Sequence, residues 1–208
     1  MLIKNWLLKN LLNCVENKVE NNSILSCTRC PLHKMLPEGC LPVPGKGTKS
    51  SIFIVGEAPG SNEVDLGEPF VGAAGKMLSL LLEGAGIERS KVYITNVVKC
   101  RPTDDGRKNR PPSEKEIETC KRHLWEEIKE QAPSVIFTLG KVPTYTLLNS
   151  QLKKSFKMSD VIGKKYRVDW GIVLTIIPNL HPSYIMQYGK DKIKLATDIF
   201  KMKGPYYD

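Results

Sequence analysis

The feature that most constrains the fold is a set of four short apolar runs without polar alternation. Each run is rich in β-branched residues, which is typical of strands buried on both faces of a parallel sheet. The runs are Ile52 to Val55, Val92 to Val98, Val135 to Leu139 and Ile172 to Ile177. Because such strands need helices above and below them, the runs predict a three-layer α/β fold with a central four-stranded parallel sheet.

Helical patterns between and after these runs supply the outer layers. Apolar residues recur at helical spacing in Gly75 to Ala85, Ser113 to Gln131, Val142 to Leu148 and Asp191 to Lys201. Ser113 followed by Glu116 is a capping box directly after two prolines, so we expect a helix to begin there. The alternation of strand and helix predicts a single domain over residues 1–208, a length that one hydrophobic core can serve.

The N-terminal part of the chain differs from the rest. Met1 to Glu20 carries apolar residues at helical spacing, and we expect residues 1–25 to form a helical extension. Lys4 and Lys9 interrupt its leucines, so it lacks the apolar stretch of a signal peptide. No later stretch approaches the roughly 20 apolar residues of a membrane span. The prediction is a cytoplasmic, monomeric protein without a membrane partner.

Residues 26–50 are rich in Cys, Pro, Gly and Lys without any period, which predicts an irregular, metal-binding loop. Six cysteines in a chain without an export signal favour metal or redox chemistry over disulfides. Cys14 lies in the N-terminal helical pattern and is interpreted as a buried structural thiol. One local set has spacing compatible with structural zinc: Cys27, Cys30, His33 and Cys40.

The charge balance favours a polyanionic partner. Lys and Arg number 31 against 22 Asp and Glu, which gives a net charge of +9. Such a charge promotes phosphate contacts and the release of counterions. A basic surface that only keeps the protein soluble is the alternative interpretation.

Polar residues follow three of the predicted strands, at the edge where α/β sheets bind their ligands. The segments are Gly56-Glu57-Ala58-Pro59-Gly60, Asn96 with Cys100-Arg101-Pro102, and Leu180-His181-Pro182-Ser183-Tyr184. The first loop lacks Gly-x-Gly-x-x-Gly and Gly-Lys-Ser/Thr, and its Pro59 removes an amide donor. A nucleotide-binding site is therefore disfavoured, and we expect no nucleotide cofactor.

These loops carry a resemblance to a known family. From about Cys27 to the C-terminus, four motifs resemble, in order and spacing, those of family 4 (iron–sulfur, type-4) uracil-DNA glycosylases. The motifs are Gly56 to Gly60, Gly67 to Gly75, Thr95 to Pro102 and His181 to Tyr184. The resemblance implies the uracil-DNA glycosylase fold and a monofunctional enzyme. Such an enzyme flips uracil out of single- or double-stranded DNA and hydrolyses its N-glycosidic bond, leaving an abasic site. The alternative is a catalytically silent DNA-binding or scaffold protein of the same fold.

The resemblance also implies that Glu57, Ala58, Phe70, Asn96 and His181 build the uracil pocket. Phe70 is the expected stacking platform. Asn96 offers an acceptor and a donor that match N3–H and O4 of uracil and oppose cytosine. His181 is the expected donor to uracil O2, where negative charge develops, although the sequence does not fix its protonation state. Glu57 either orients the attacking water or stabilises the cationic sugar.

Further residues are expected to assist the reaction or contact DNA. Glu63 and Asp65 are either helpers of Glu57 or solvated loop acids. Ile185, with Met186 as second candidate, is the expected apolar wedge that fills the gap left in the base stack. Burial of these two side chains is the alternative. Phosphate contacts are expected from Lys99, Arg101 and the basic loop residues Arg107, Lys108 and Arg110.

In the family, four cysteines hold a [4Fe–4S] cluster, and the matching positions are Cys27, Cys30, Cys100 and Cys120. The separation between the last two is longer than is usual in the family, because Thr103 to Arg110 contains extra residues. A loop absorbs such an insertion at small cost, since closure entropy grows slowly with length. We expect the cluster to be structural and remote from bond cleavage, with structural zinc as the alternative.

Overall fold

Five strands form one sheet in the computed structural model, which describes residues 24–204. The strands are β1 (Ile52–Gly56), β2 (Tyr93–Asn96), β3 (Val135–Leu139), β4 (Tyr166–Asp169) and β5 (Val173–Asn179). The helices are α1 (Ser61–Leu66), α2 (Ala73–Gly84), α3 (Glu114–Gln131), α4 (Lys141–Leu148), α5 (Pro182–Tyr188) and α6 (Lys190–Phe200). Short 3-10 helices span Pro31–Met35, Arg89–Lys91, Met158–Asp160 and Lys201–Lys203.

The strand order across the sheet is β2-β1-β3-β5-β4, with parallel pairing between all neighbours except β4 and β5. The four strands predicted from the sequence are the four parallel ones. The sequence analysis missed β4, which lies antiparallel at the edge beside β5. Only Val168 of this strand is buried, so it lacks the continuous apolar run that marks the others.

Alternate side chains of the strands face two separate cores. Ile52 and Ile54 of β1 pack with α2, α5 and α6 on one face of the sheet. Phe53 and Val55 pack with α3 and α4 on the other face. This division confirms the three-layer α/β architecture, because apolar runs without alternation feed both cores.

The helices begin close to where local signals place them. Ser113 caps α3 as expected: its Oγ accepts from the Glu116 amide at 3.3 Å, and its own amide donates to Glu116 Oε2 at 2.7 Å. Two helices were not predicted, α1 and α5. Each has only six or seven residues, too few to display a helical period.

The loop over residues 26–50 is irregular apart from Pro31–Met35. Its last part lies along the outer edge of β2, where the Lys46 amide donates to the Ile94 carbonyl at 2.9 Å and the Ile94 amide donates back. This pairing covers a sheet edge that would otherwise be open. The helix predicted over Met1 to Glu20, which includes Cys14, lies outside the described residues.

Between residues 24 and 204, no helix is long and apolar enough to cross a bilayer. The cytoplasmic location, the single-domain organisation and the monomeric state stay predictions.

Candidate active site

A cavity of about 280 Å³ opens where β1, β2 and β5 end. Four of the five residues predicted for the uracil pocket line it, namely Ala58, Phe70, Asn96 and His181. Asn109, from the loop between β2 and α3, also lines the cavity. Four motifs that are distant in sequence therefore meet at one edge of the sheet, where a parallel α/β sheet binds its ligands.

Asn96 is the last residue of β2 and is only 2% exposed. Its side-chain oxygen Oδ1 is buried and has no hydrogen-bond partner among residues 24–204. An unpaired buried acceptor costs roughly 1–3 kcal/mol. Because this acceptor borders a cavity, a ligand that donates a hydrogen bond there would remove that cost.

Gly56 makes room for this arrangement. It is paired in register with Asn96, and a Cβ placed on it would lie 2.4 Å from both Phe70 Cζ and Asn96 Oδ1. The Phe70 ring is 6% exposed, and its centroid lies 6.1 Å from that of the His181 ring. Only a residue without a side chain at position 56 leaves the aromatic ring and the amide in these positions.

The backbone of Phe70 adopts a left-handed conformation with φ 57°, which is unfavourable for a residue with a Cβ. Arg89 Nη2 stabilises it by donating to the Phe70 carbonyl at 2.8 Å and to the Pro69 carbonyl at 3.2 Å. Gly75 is required behind the same turn, since a Cβ there would lie 1.7 Å from the Phe70 oxygen. The ring is therefore held in place through its main chain.

Glu63 connects the two loops that form the cavity wall. Its carboxylate accepts from the amides of Gly60 at 3.0 Å, Val71 at 3.0 Å and Gly72 at 2.8 Å. The interpretation of Glu63 as a solvated loop acid is therefore wrong for this buried residue, whereas its role as a helper of Glu57 stays a prediction. Asp65 does not line the cavity, and its role as a helper stays a prediction.

His181 precedes α5 and caps it through its side chain, because Nδ1 accepts from the Ser183 amide at 3.2 Å. An acceptor Nδ1 carries no proton, so the neutral ring is protonated at Nε2. Burial lowers the pKa of His181 to about 4. The imidazole is therefore neutral near pH 7, which the sequence alone left open.

Glu57 does not line this cavity, although it was predicted to bind the base. It lines a neighbouring groove of about 640 Å³ that also contains His181, Tyr184 and Lys192. Burial raises the pKa of Glu57 above its ordinary value. His181 thus borders both spaces, with the base-sized cavity on one side and the carboxylate-lined groove on the other.

The predicted apolar wedge is wrong for Ile185. This side chain is 1% exposed and belongs to the core that packs between the sheet and α2. It is buried because it lies on the inward face of α5, where the sequence analysis had not expected a helix. Met186, the second candidate, is 45% exposed. Tyr184 and Tyr188 are exposed beside it, with ring centroids 4.4 Å apart.

The predicted phosphate contact of Lys99 is also wrong. Lys99 is 1% exposed and forms an ion pair with Glu127, at 2.7 Å between Nζ and Oε2. Its side chain extends into the space between β2 and α3, so it cannot reach DNA. A lysine next to a cysteine motif gives no local sign in the sequence of such a buried partner.

Two of the four cations at the inserted loop hold the loop itself. Arg101 donates to the carbonyls of Gly106 at 3.0 Å and Arg107 at 2.9 Å, and its phosphate contact stays a prediction. Arg110 donates to both carboxylate oxygens of Glu116 at 2.8 Å and holds the pKa of that carboxyl near about 2. The remaining predicted cations of this loop are exposed: Arg107 and Lys108.

Free thiols occupy the four positions predicted to hold the cluster, and the last two of them are buried: Cys27, Cys30, Cys100 and Cys120. The pKa of Cys120 is raised to about 11, mainly by burial and in smaller part by the nearby Cys30 and Cys27. Burial likewise raises the pKa of Cys100, with added contributions from the other three thiols. Cys27 Sγ lies 3.3 Å from Nε2 of the buried His123.

The chain matches the sequence model of the Uracil DNA glycosylase superfamily over residues 44–201. It is 41% identical to the type-4 uracil-DNA glycosylase of Archaeoglobus fulgidus, over 86% of this chain and 87% of the relative. The corresponding protein of Pyrobaculum aerophilum is 39% identical over 79% and 81%. That of Thermotoga maritima is 35% identical over 90% and 93%. The chain belongs to the type-4 family of uracil-DNA glycosylases.

The supporting roles of three residues were not predicted from the sequence. Gly56 leaves room for the aromatic ring and the amide, Arg89 holds the Phe70 turn, and Glu63 joins the two loops. Gly56 belongs to the motif Gly56 to Gly60. Its position at the end of a predicted strand was the signal that could have indicated its role. Arg89 lies nearly twenty residues from its acceptors, and no spacing rule connects them.

Proposed function

We propose that this chain is a monofunctional glycosylase that flips uracil out of DNA, hydrolyses its N-glycosidic bond and leaves an abasic site. The observation that carries the proposal is the buried, unpartnered Oδ1 of Asn96 beside an aromatic ring in a cavity at the sheet edge. A flipped base needs both a stacking surface and groups that read its Watson–Crick edge.

Asn96 distinguishes uracil from cytosine. Its Oδ1 accepts from N3–H of uracil, whereas cytosine has an unprotonated acceptor at N3 that repels this oxygen. With roughly 1–3 kcal/mol for one mispaired buried group, this contact supplies about 10- to 100-fold discrimination. Phe70 contributes stacking that does not depend on the identity of the base.

His181 stabilises the leaving base. When the bond between C1′ and N1 breaks, its electron pair moves into the uracil ring, and negative charge develops at O2. The neutral imidazole donates a hydrogen bond from Nε2, because its Nδ1 is occupied as the cap of α5. A neutral donor stabilises the charge without having to transfer a proton.

Glu57 acts on the sugar side of the broken bond. Its place in the groove beside His181 supports this role, because the deoxyribose would lie between the two spaces. The ionised carboxylate orients a water molecule, whose oxygen bonds to C1′ while one of its protons passes to Glu57. The same negative charge stabilises the cationic sugar before the water adds.

The four thiols suit an iron–sulfur cluster better than a single zinc ion. Cys100 and Cys120 are buried together with Cys27 and Cys30 nearby, and thiolates are the ligands of such clusters. The preference rests on the type of ligand alone, because residues 24–204 contain no group of three Cys, His, Asp or Glu side chains arranged to hold a metal ion. His33, from the alternative zinc set, instead hydrogen-bonds the Cys30 carbonyl through Nδ1 at 2.5 Å.

A [4Fe–4S] cluster held by these cysteines would cross-link the irregular loop to the sheet. Cys120→Ala removes one ligand, so we expect loss of iron and a lower melting temperature. The matched control is Cys40→Ala, which removes a thiol outside the proposed set. Iron content and the visible absorption band of both proteins decide this point, and full iron retention by Cys120→Ala would contradict the assignment.

The residues proposed to contact DNA are ones whose side chains are exposed to solvent. Met186 is the apolar side chain available to fill the gap in the base stack, and Arg107 and Lys108 are available to phosphates. Uracil-containing DNA, single- or double-stranded, is the proposed partner.

The test is a single-turnover assay of iron-loaded protein on an oligonucleotide with one uracil, followed by alkaline cleavage of the abasic product. We expect strand breakage with uracil, none with thymine at the same position, and loss of activity in a Glu57→Gln, Asn96→Ala, His181→Ala triple variant. DNA binding without uracil release by the wild-type protein would instead support the catalytically silent alternative.

A further inference from the structure

A buried ion pair lies directly behind Asn96. The Lys99 ammonium Nζ is 2.7 Å from Glu127 Oε2, and the two residues are 1% and 4% exposed. The same Nζ donates to Thr95 Oγ1 at 2.6 Å and to the main-chain carbonyl of Asn96 at 2.9 Å. All three donors of the ammonium are therefore used within the protein.

Both carboxylate oxygens of Glu127 likewise accept hydrogen bonds from within the protein. Its Oε2 also accepts from Thr95 Oγ1 at 2.8 Å, and its Oε1 accepts from the Gly45 amide at 2.8 Å. Glu127 lies on α3, whereas Gly45 belongs to the segment that covers the outer edge of β2. The pair thus fixes the end of β2 to the helix and the loop on either side of it.

Lys99 also contacts the thiols, but only through its main chain. Its amide donates to Cys120 Sγ at 3.3 Å, and its carbonyl accepts from the Val43 amide at 2.6 Å. A substitution of the Lys99 side chain leaves both of these contacts available. A substitution of the Lys99 side chain therefore tests its contact with Asn96 without removing the main-chain contact with Cys120.

A gain in folding stability is a weak explanation for a buried ion pair. The cost of removing two charges from water often exceeds their attraction, and an apolar pair of similar size can be as stable. The pair does, however, fix the carbonyl of the residue whose side chain borders the cavity. Holding that carbonyl fixes the local main chain, and with it the direction of the Cα–Cβ bond from which Oδ1 projects.

We propose that Lys99 and Glu127 are positioning residues, which hold Asn96 in the orientation that accepts a hydrogen bond from uracil N3–H. The inference rests on the proposed role of Asn96 as the group that reads the base. It assigns the ion pair to base selection rather than to DNA contact or folding alone.

The test compares Lys99→Met/Glu127→Gln with the wild-type protein in single-turnover excision. Removing both charges avoids an unpaired buried ion, so we expect the melting temperature and iron content to stay close to wild type. The Asn96 carbonyl loses its donor, and we expect excision to fall by about 10- to 100-fold, the scale of a misplaced reacting group. The inhibition constant of free uracil should rise in parallel.

The matched control is Lys165→Met, which removes one exposed lysine without touching the network. A wild-type excision rate and uracil inhibition constant in the double variant would overturn the inference. If the double variant does not fold, Glu127→Gln alone is measured, because its single amide oxygen accepts from either Lys99 or Gly45 but not from both. We expect a several-fold loss from that change, and an unchanged rate would overturn the inference as well.

Asn96→Asp, measured in the same series, separates this inference from the proposed function. A slow Asn96→Asp variant beside a wild-type-like double variant would overturn only the positioning role. Wild-type excision by Asn96→Asp would remove Asn96 from base recognition, and the positioning role would fall with it.

Discussion

Asn96 and Lys99 lie three residues apart and are both buried, yet their polar atoms differ in hydrogen bonding. The Lys99 ammonium has three partners, whereas Asn96 Oδ1 has none in the part of the chain that the structure describes. An unpaired buried acceptor costs roughly 1–3 kcal/mol, which a bound base would offset. The comparison separates polar groups that maintain the fold from a group that is left for substrate.

Two carboxylates show the same difference. Glu63 accepts three main-chain hydrogen bonds and joins two loops. Glu57 lies in a groove where burial raises its pKa, which makes its carboxylate a better proton acceptor. We therefore expect substitutions at Glu57 and Glu63 to affect different properties, the reaction rate in the first case and stability in the second.

The largest effect is expected from Glu57→Gln. Loss of the carboxylate removes the water-orienting base and the negative charge beside the sugar, so single-turnover excision should fall by about 10³-fold. Thermal unfolding should change little. A drop in melting temperature as large as that of a Glu63 variant would break the distinction between the two carboxylates.

Gly56→Ala tests the shape of the cavity. The added methyl group would lie 2.4 Å from the Phe70 ring and from Asn96 Oδ1, so both must move. We expect excision to fall by about 10²-fold, since small misplacements at a reacting site have effects of that size. Gly86→Ala is unsuitable as a control because its φ is +68°, whereas Gly84→Ala changes a helical glycine far from the cavity. Equal rates for wild type and Gly56→Ala would contradict the assigned cavity.

Glu63→Gln tests whether the second carboxylate stabilises the fold. The amide keeps one acceptor oxygen but cannot accept from all three main-chain amides, so the free energy of unfolding should fall by about 2 kcal/mol. Urea unfolding, with Glu83→Gln on the exposed face of α2 as control, measures this change. A stability equal to that of the control would show that the loops do not depend on Glu63.

The smallest expected effect is a difference between wild type and Glu57→Gln in how the excision rate depends on pH. The proposed mechanism needs an ionised Glu57 and a neutral His181, and burial raises the pKa of the former and lowers that of the latter to about 4. As the pH falls, Glu57 protonates first and the wild-type rate declines. The residual rate of Glu57→Gln should persist until His181 protonates near pH 4. Identical acid limbs in single-turnover profiles of the two proteins would contradict this order.

The lowered pKa of His181 also makes the free energy of unfolding depend on pH. Because the pKa of His181 falls from 6.5 to about 4 on folding, its neutral form contributes stability above pH 6.5 that is lost as the pH falls toward 4.

Features that depend on local sequence were predictable. The parallel strands appear as apolar runs, and the motifs at their ends meet because the topology brings those ends together. Ser113 marked the start of α3. For the strands and the start of α3 the physical cause lies within a few consecutive residues, and the meeting of the motifs follows from the parallel order of those strands.

Features that depend on distant partners were not predictable. Lys99 is neutralised by a residue 28 positions away, and Phe70 is held by one 19 positions away. Ile185 is buried because α5 packs on α2, a contact that no spacing in the sequence indicates. The edge strand β4 has one buried residue and therefore no pattern.

The most direct test of the central claim compares free uracil with two methylated bases as inhibitors of excision. We expect 3-methyluracil, which lacks N3–H, to bind at least about 10-fold more weakly than uracil because Asn96 Oδ1 stays unpaired. The matched control, 1-methyluracil, carries its methyl group where the sugar is attached and should bind like uracil. Equal inhibition by uracil and 3-methyluracil would contradict the claim that this buried oxygen reads the base.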